Sequence, residues 1–164
     1  MLIYGDEMDL AWRLRVSGGR ILTAPSAKVH HRGAAVANPA GGIKHVELRT
    51  NEMKRFLSVR NSLLVLMQNC QHILLLILIP HLLMLACEAM VFLVLTKNWK
   101  FVRNSYGRGI FEAFRMIPHV RAWRKKIRGF RKHGDFWVMQ FLTWRMNRLG
   151  EFMQVFKLGP PKVG

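Results

Sequence analysis

The sequence predicts a small α/β piece, one helix and two short strands, followed by a mainly α-helical region that is apolar first and basic afterwards. Three observations predict it. Residues 1–50 alternate short periodic runs with Gly and Pro turn signals. Residues 51–96 keep helical spacing and turn almost wholly apolar. Residues 97–164 are basic and aromatic, with twelve cations between Lys97 and Lys132 against the single acid Glu112.

Within the first zone, Asp9 to Ser17 reads as a helix. Leu10, Ala11 and Leu14 form its apolar stripe, and Asp6, Glu7 and Asp9 stand where the helix dipole favours negative charge. Gly18-Gly19 is its stop signal. Arg20 to Ala24 reads as a strand ended by Pro25, and Lys28 to His31 as a second extended piece before the turn at Gly33. Ala34 to Ile43 reads as a loop. Fifty residues are too few for a parallel sheet covered on both faces, so this zone is the edge of an α/β domain.

In the second zone, Leu48, Met53, Phe56 and Leu57 recur at helical spacing. Ile73 to Leu95 is 23 residues interrupted only by Pro80, His81 and Glu88. As one helix it is about 35 Å long, against roughly 30 Å of bilayer hydrocarbon. Pro80 predicts a break near the middle, and His81 and Glu88, seven positions apart, fall on one face. Cations flank the run on both sides: Arg49, Lys54, Arg55 and Arg60 before it, Lys97, Lys100, Arg103 and Arg108 after it. Positive charge at both ends favours the same, cytosolic side for each. A shallow hairpin broken at Pro80, or an in-plane arrangement, meets that condition; a buried helix pair in a larger soluble domain is the alternative. In the third zone Ile110, Phe111, Phe114, Ile117, Val120 and Trp123 keep helical spacing among the cations, as in helices that lie on anionic head groups. Trp137, Phe141, Trp144 and Phe152 extend that aromatic character.

The 164 residues carry 26 Lys and Arg against 9 Asp and Glu, a formal charge of +17, yet 51% are hydrophobic. A disordered basic tail is excluded by so much apolar side chain. Nucleic acid is disfavoured as the partner, since no helix-turn-helix, zinc-finger or ribonucleoprotein motif is present. An anionic membrane surface is the expected one. Cys70 and Cys87 form no C-x-x-C pair and, lying in apolar sequence, are expected to be buried thiols. No basic n-region with a long apolar h-region opens the sequence.

Two clusters carry chemistry. Asp6, Glu7 and Asp9 put three carboxylates into four residues, an arrangement relieved by a cation, a metal or a shared proton. A carboxylate so placed can act as a general base on a sugar or alcohol hydroxyl, or simply cap the helix. His30-His31-Arg32-Gly33, at a strand end beside a turn, is a candidate metal or phosphate contact, or one inward and one outward strand side chain. The helix, turn and strand between them would let the two clusters converge.

The string YGDEMDLAWRLRVSGGRILTAPSAKVHHRG resembles the C-terminal part of the catalytic domain of family 2 glycosyltransferases of GT-A type. The rhamnosyltransferase-like enzymes of bacterial cell-surface polysaccharide synthesis are the branch it looks most like. The family shows a G-E-D-x-D-L-x-W-R pattern, a Gly-rich turn, a strand ending in Pro, a V-x-H-x-G element and an R-N pair, here Arg60-Asn61. The match is strong over residues 3–70 and looser to about residue 130.

The resemblance implies the roles. Glu7 matches the acid that deprotonates the acceptor hydroxyl, with Asp6 before it, so the order of acid types is swapped. Asp9, Trp12 and Arg13 match acceptor-side positions. His31 matches the histidine that in some members meets the metal or the donor diphosphate. The implied reaction is an inverting displacement from a nucleotide sugar onto a membrane-linked glycan, with Mg²⁺ or Mn²⁺ on the departing diphosphate. Residues 1–50 would then be the end of a catalytic domain, 51–96 a helical region with an apolar membrane hairpin, and 97–164 interfacial helices and tail. The implied location is the cytoplasmic face of the inner or plasma membrane. The nucleotide-binding half with its D-x-D motif is expected to be missing, leaving the isolated chain inactive. A non-catalytic basic peripheral membrane protein or scaffold is the alternative.

Overall fold

The computed structural model describes residues 5–28, 49–142 and 162–163. It falls into two compact units. The larger takes in the described residues up to Ile21 and Glu52–Leu142. In the other, β1 (Arg49–Thr50) pairs in parallel with β2 (Lys162–Val163).

The larger unit is helical. α1 is Asp6–Val16, α2 Glu52–Asn69, α3 Leu78–Thr96, α4 Trp99–Val102, α5 Arg108–Arg115, α6 Ile117–Phe130 and α7 Asp135–Met139. A 3₁₀ turn, Leu74–Ile77, leads into α3, and a π-helical turn, Arg103–Gly107, joins α4 to α5. The expectation of an α/β piece with two strands is corrected here: the molecule is mainly helical. Arg20 to Ala24, expected as a strand, has no regular structure and ends in a turn closed by Ala27 N–H donating to the Ala24 carbonyl at 3.0 Å. Strand propensity is realised only where a neighbouring edge completes the ladder. No neighbour pairs with Arg20–Ala24 among the described residues. Of the second extended piece, only Lys28 is described, outside any strand.

α1 begins three residues earlier than its apolar stripe predicts. Gly5, at φ 105°, turns the chain into the helix in a left-handed conformation that suits glycine. The end is as predicted. Gly18 N–H reaches the Arg15 carbonyl at 3.0 Å and Gly19 N–H the Leu14 carbonyl at 2.8 Å, with Gly18 at φ 86°. This pair of bonds is the Schellman closure.

α2 and α3 form an antiparallel pair. Ser62 Oγ lies 3.0 Å from His81 Nε2, and Arg55 pairs with Glu88. Both polar residues of the apolar run therefore face α2. The run does not break at Pro80. Leu74–Thr96 is helical throughout, and Pro80 sits in the first turn of α3, where a missing N–H costs little. Leu85 and Phe92 point inward, joining Val59, Leu63, Leu64, Phe101 and Tyr106 in the first core. Phe92 stacks on Phe101 at 4.6 Å. Leu76, Ile79, Leu83, Met90 and Val94 form the opposite, exposed stripe. Cys87 lies among them and is exposed, against expectation, while Cys70 is buried.

α5 approaches α2 closely at Gly109, where a Cβ would lie 2.9 Å from Val59 Cγ1. α6 ends beside the α2–α3 turn, and the α6–α7 link is tied to α1 by Lys132 N–H and His133 N–H, both donating to the Val16 carbonyl. A second core joins Trp12, Val16, Cys70, Leu74, Ile127 and Val138.

Candidate active site at the start of the first helix

The Gly5 turn sets the N-terminus of α1 against α2. A Cβ on Gly5 would lie 3.4 Å from Val65 Cγ2 and 3.7 Å from the Asn61 Cβ. Asp9 N–H closes the first turn on the Gly5 carbonyl at 2.9 Å. The acidic segment and the Arg60-Asn61 pair, far apart in sequence, are thus neighbours in the fold. Asn61 is buried and accepts from Arg60 Nε at 3.1 Å, while the Arg60 guanidinium lies over Phe56.

The three acids divide sharply. Asp9 is buried: its Oδ2 meets Arg13 Nη2 at 2.6 Å, and its Oδ1 accepts from Asn69 Nδ2 at 2.8 Å. The periodicity of α1 turns this acid inward one turn after Asp6. Asp6 and Glu7 have no hydrogen-bond or ion-pair partner among the described residues, with Asp6 half-buried and Glu7 exposed. They are the carboxylates available to a ligand. Trp12 is 6% exposed and packs in the second core, so its ring is not an open platform. Arg13 is held by Asp9 and lies over Trp123 at 5.6 Å. His31 lies outside the described residues.

Among the described residues, no group of three or more His, Cys, Asp or Glu gathers as a metal site. With Asp9 committed to Arg13 and Asn69, Asp6 and Glu7 alone do not make one.

Sequence reasoning missed the polar frame behind the site. The α2–α3 turn exposes carbonyls on one side and N–H groups on the other. Arg124 Nη1 donates to the Met67 carbonyl at 2.7 Å and the Cys70 carbonyl at 2.6 Å, and Arg131 donates to the Asn69 carbonyl. Asp135 accepts from Gln71 N–H at 3.0 Å and Leu74 N–H at 3.2 Å, and stands 3.8 Å from Arg131. The guanidiniums favour the negative end of α2 and the carboxylate the positive start of the next helix. Arg124 and Ile127 on α6 and Arg131 just past its end follow one another at spacings of three and four. That spacing was visible, but a count of cations assigns all of them to a solvent or lipid face.

Burial pushes the Cys70 thiol up to about 12, with Asp135 adding to the shift and Arg124 and Arg131 opposing it. Burial lowers the Arg131 pKa, and Asp135 partly offsets that.

Compared with models of protein families, with curated proteins and with solved structures, the chain matches none of them.

Proposed function

We propose that this chain carries the acceptor side of an inverting family 2 glycosyltransferase acting at the cytoplasmic face of a membrane in cell-surface polysaccharide synthesis. One observation carries the reading. Gly5-Asp6-Glu7 and Arg60-Asn61, two separate segments of the resemblance, come together, with Asp6 and Glu7 left unpartnered among the described residues. Glu7 is the more exposed and is the base. It takes the proton of an acceptor hydroxyl as that oxygen bonds to the anomeric carbon. The bond from that carbon to the nucleotide diphosphate breaks with inversion, and the diphosphate leaves with the bonding pair. Asp6 orients the acceptor by hydrogen bonding. Asp9, Trp12 and Arg13 hold α1 in place.

The membrane part rests on Leu74–Thr96, which is long and apolar enough to cross a membrane. Only 11% of its apolar window is buried, whereas the core helix of a soluble protein is mostly buried. Its exposed end meets Lys97, Trp99 and Lys100, the residue types that anchor helices at a lipid interface. The same observation favours a second reading, a basic peripheral membrane protein without catalysis.

The test separates the two. Glu7→Gln and Asp6→Asn are made singly in a transferase that joins this chain to a nucleotide-sugar-binding half. At least one is expected to lower turnover by about 10²-fold or more, the size of a general-base contribution, with helical content unchanged. Transfer unaffected by either change overturns the catalytic reading and leaves the peripheral protein. For the chain alone, micromolar binding of a nucleotide sugar by calorimetry contradicts the assignment to the acceptor side.

A further inference from the structure

A shallow cleft, open to solvent, lies between the end of α2 and α6, lined by Gln68, Gln71, Arg124, Ile127, Arg128 and Arg131. The space it encloses is that of a small group only, far below the several hundred cubic ångströms of pockets for drug-sized ligands, so a nucleotide sugar is not its ligand. Its lining is cationic. Three guanidiniums stand there, and the nearby carboxylate of Asp135 offsets one of them.

The donors are built in and not all are used. The Arg131 side chain is 8% exposed, and its Nε is buried without a hydrogen-bond partner. A buried unsatisfied guanidinium N–H is costly. Arg124 is fixed by its two carbonyl bonds, which use Nη1 alone. Arg128 has no partner among the described residues, nor have the side-chain amides of Gln68, itself 7% exposed, and Gln71. Several N–H donors with surplus positive charge match an oxyanion with acceptors on several sides.

We propose that this cleft receives a single phosphoryl group, with Arg128 closing over it from the solvent side and Arg124 and Arg131 held ready beneath. The two sources of that chemistry are free phosphate and the head group of an anionic phospholipid. Leu74, the first residue of the apolar helical segment Leu74–Thr96, is tied to the same turn through Asp135. A phosphoryl group there stands at one end of the apolar helix. The proposal does not depend on the transferase reading.

The test uses the full chain and two variants of exposed residues on α6, Arg128→Gln in the cleft and Lys125→Gln outside its lining. Inorganic phosphate is titrated calorimetrically, and binding is measured to phosphatidylcholine vesicles with and without phosphatidic acid. A free-phosphate site gives binding that Arg128→Gln weakens about tenfold or more, the loss of one charge-assisted hydrogen bond, while Lys125→Gln stays within about twofold. A head-group site gives little heat with phosphate. It shows the same contrast between variants on phosphatidic acid vesicles. Equal losses in the two variants, or no loss with Arg128→Gln in either arm, overturn the proposal.

Discussion

Asn69, the last residue of α2, donates its side-chain N–H to Asp9 Oδ1 at 2.8 Å and a second bond to the Val65 carbonyl at 3.0 Å. That contact fixes α1 on α2 and takes Asp9 out of the set of acids open to a ligand. The two functions of one acidic cluster therefore separate by mutation. Asp9→Ala removes a buried charge-assisted pair and takes from Arg13 and Asn69 their shared carboxylate partner, at a cost of about 2–4 kcal/mol. Glu7→Gln changes an exposed side chain and is expected to shift stability by less than about 0.5 kcal/mol. Urea unfolding of the two variants checks the contrast, and equal losses would count against the division.

The turn after α2 provides a second contrast. Arg124→Ala uncovers the Met67 and Cys70 carbonyls together, and a loss of about 1.5–3 kcal/mol is expected. Arg121→Ala, an exposed cation one turn earlier on the same helix, should be close to neutral. If both variants unfold at the same denaturant concentration, Arg124 is not the cap described.

Gly109 packs so tightly on α2 that an alanine methyl would press on Val59 Cγ1 at 2.9 Å and meet the Phe56 carbonyl at 3.2 Å. Gly109→Ala should therefore destabilise by about 1–3 kcal/mol, although alanine is the better helix former. Val59→Ala costs stability alone but removes the nearest of the contacts, Cγ1, while its own Cβ stays at 3.0 Å. The double variant should be more stable than the sum of the single losses predicts, by about 0.5 kcal/mol or more. Strict additivity would place the clash elsewhere.

Alkaline pH acts on Cys70. Its thiol is buried and pushed up to about 12 from an ordinary value of 9.0. Below pH 9 both folded and unfolded chains hold the proton. Between about 9 and 12 the unfolded chain releases it and the folded chain does not, so stability falls as pH rises, by up to about 1.4 kcal/mol per pH unit. Other groups titrate in this range, so the measurement is the difference from Cys70→Ala. The wild type should lose stability more steeply than the variant above pH 9; parallel curves would contradict the burial assigned to this thiol.

How much of this was legible follows from the range of each interaction. Gly18-Gly19 announces its helix stop because the Schellman closure is local, spanning Leu14 to Gly19. The helical spacing of residues 110–123 is legible for the same reason, but its single stripe is not: the helix divides at Met116, and Phe111 and Phe114 are exposed while Val120 is buried. Arg20–Ala24 misleads because a strand is a property of a pair, and its composition says nothing about a partner. Pro80 misleads because its effect depends on position within a helix, and the start of α3 at Leu78 makes it harmless. Arg124 and Arg131 hide among ten other cations because their carbonyl partners lie 54 and 62 positions away. At the candidate site the clustering of acids was legible, but the division of Asp9 from Asp6 and Glu7 depends on Asn69, a residue no local pattern singles out.

The exposed stripe of α3 has a built-in reporter. Cys87 lies on the outward face with Leu83 and Met90, and Cys70 is buried in the same unit. In the lipid-free chain a water-soluble maleimide should modify Cys87 quickly and Cys70 only after unfolding in urea, since a thiol must be reached and ionised to react. If the stripe meets lipid, vesicles containing anionic phospholipid should slow the Cys87 reaction by about tenfold or more, while neutral vesicles protect it less because the surrounding cations have nothing to bind. High salt should return the rate toward the lipid-free value if charge holds the chain at the surface, and leave it slow if α3 has entered the hydrocarbon. Cys87 labelling that ignores vesicles of both kinds would mean that this face does not meet lipid, and the peripheral and inserted arrangements would fall together.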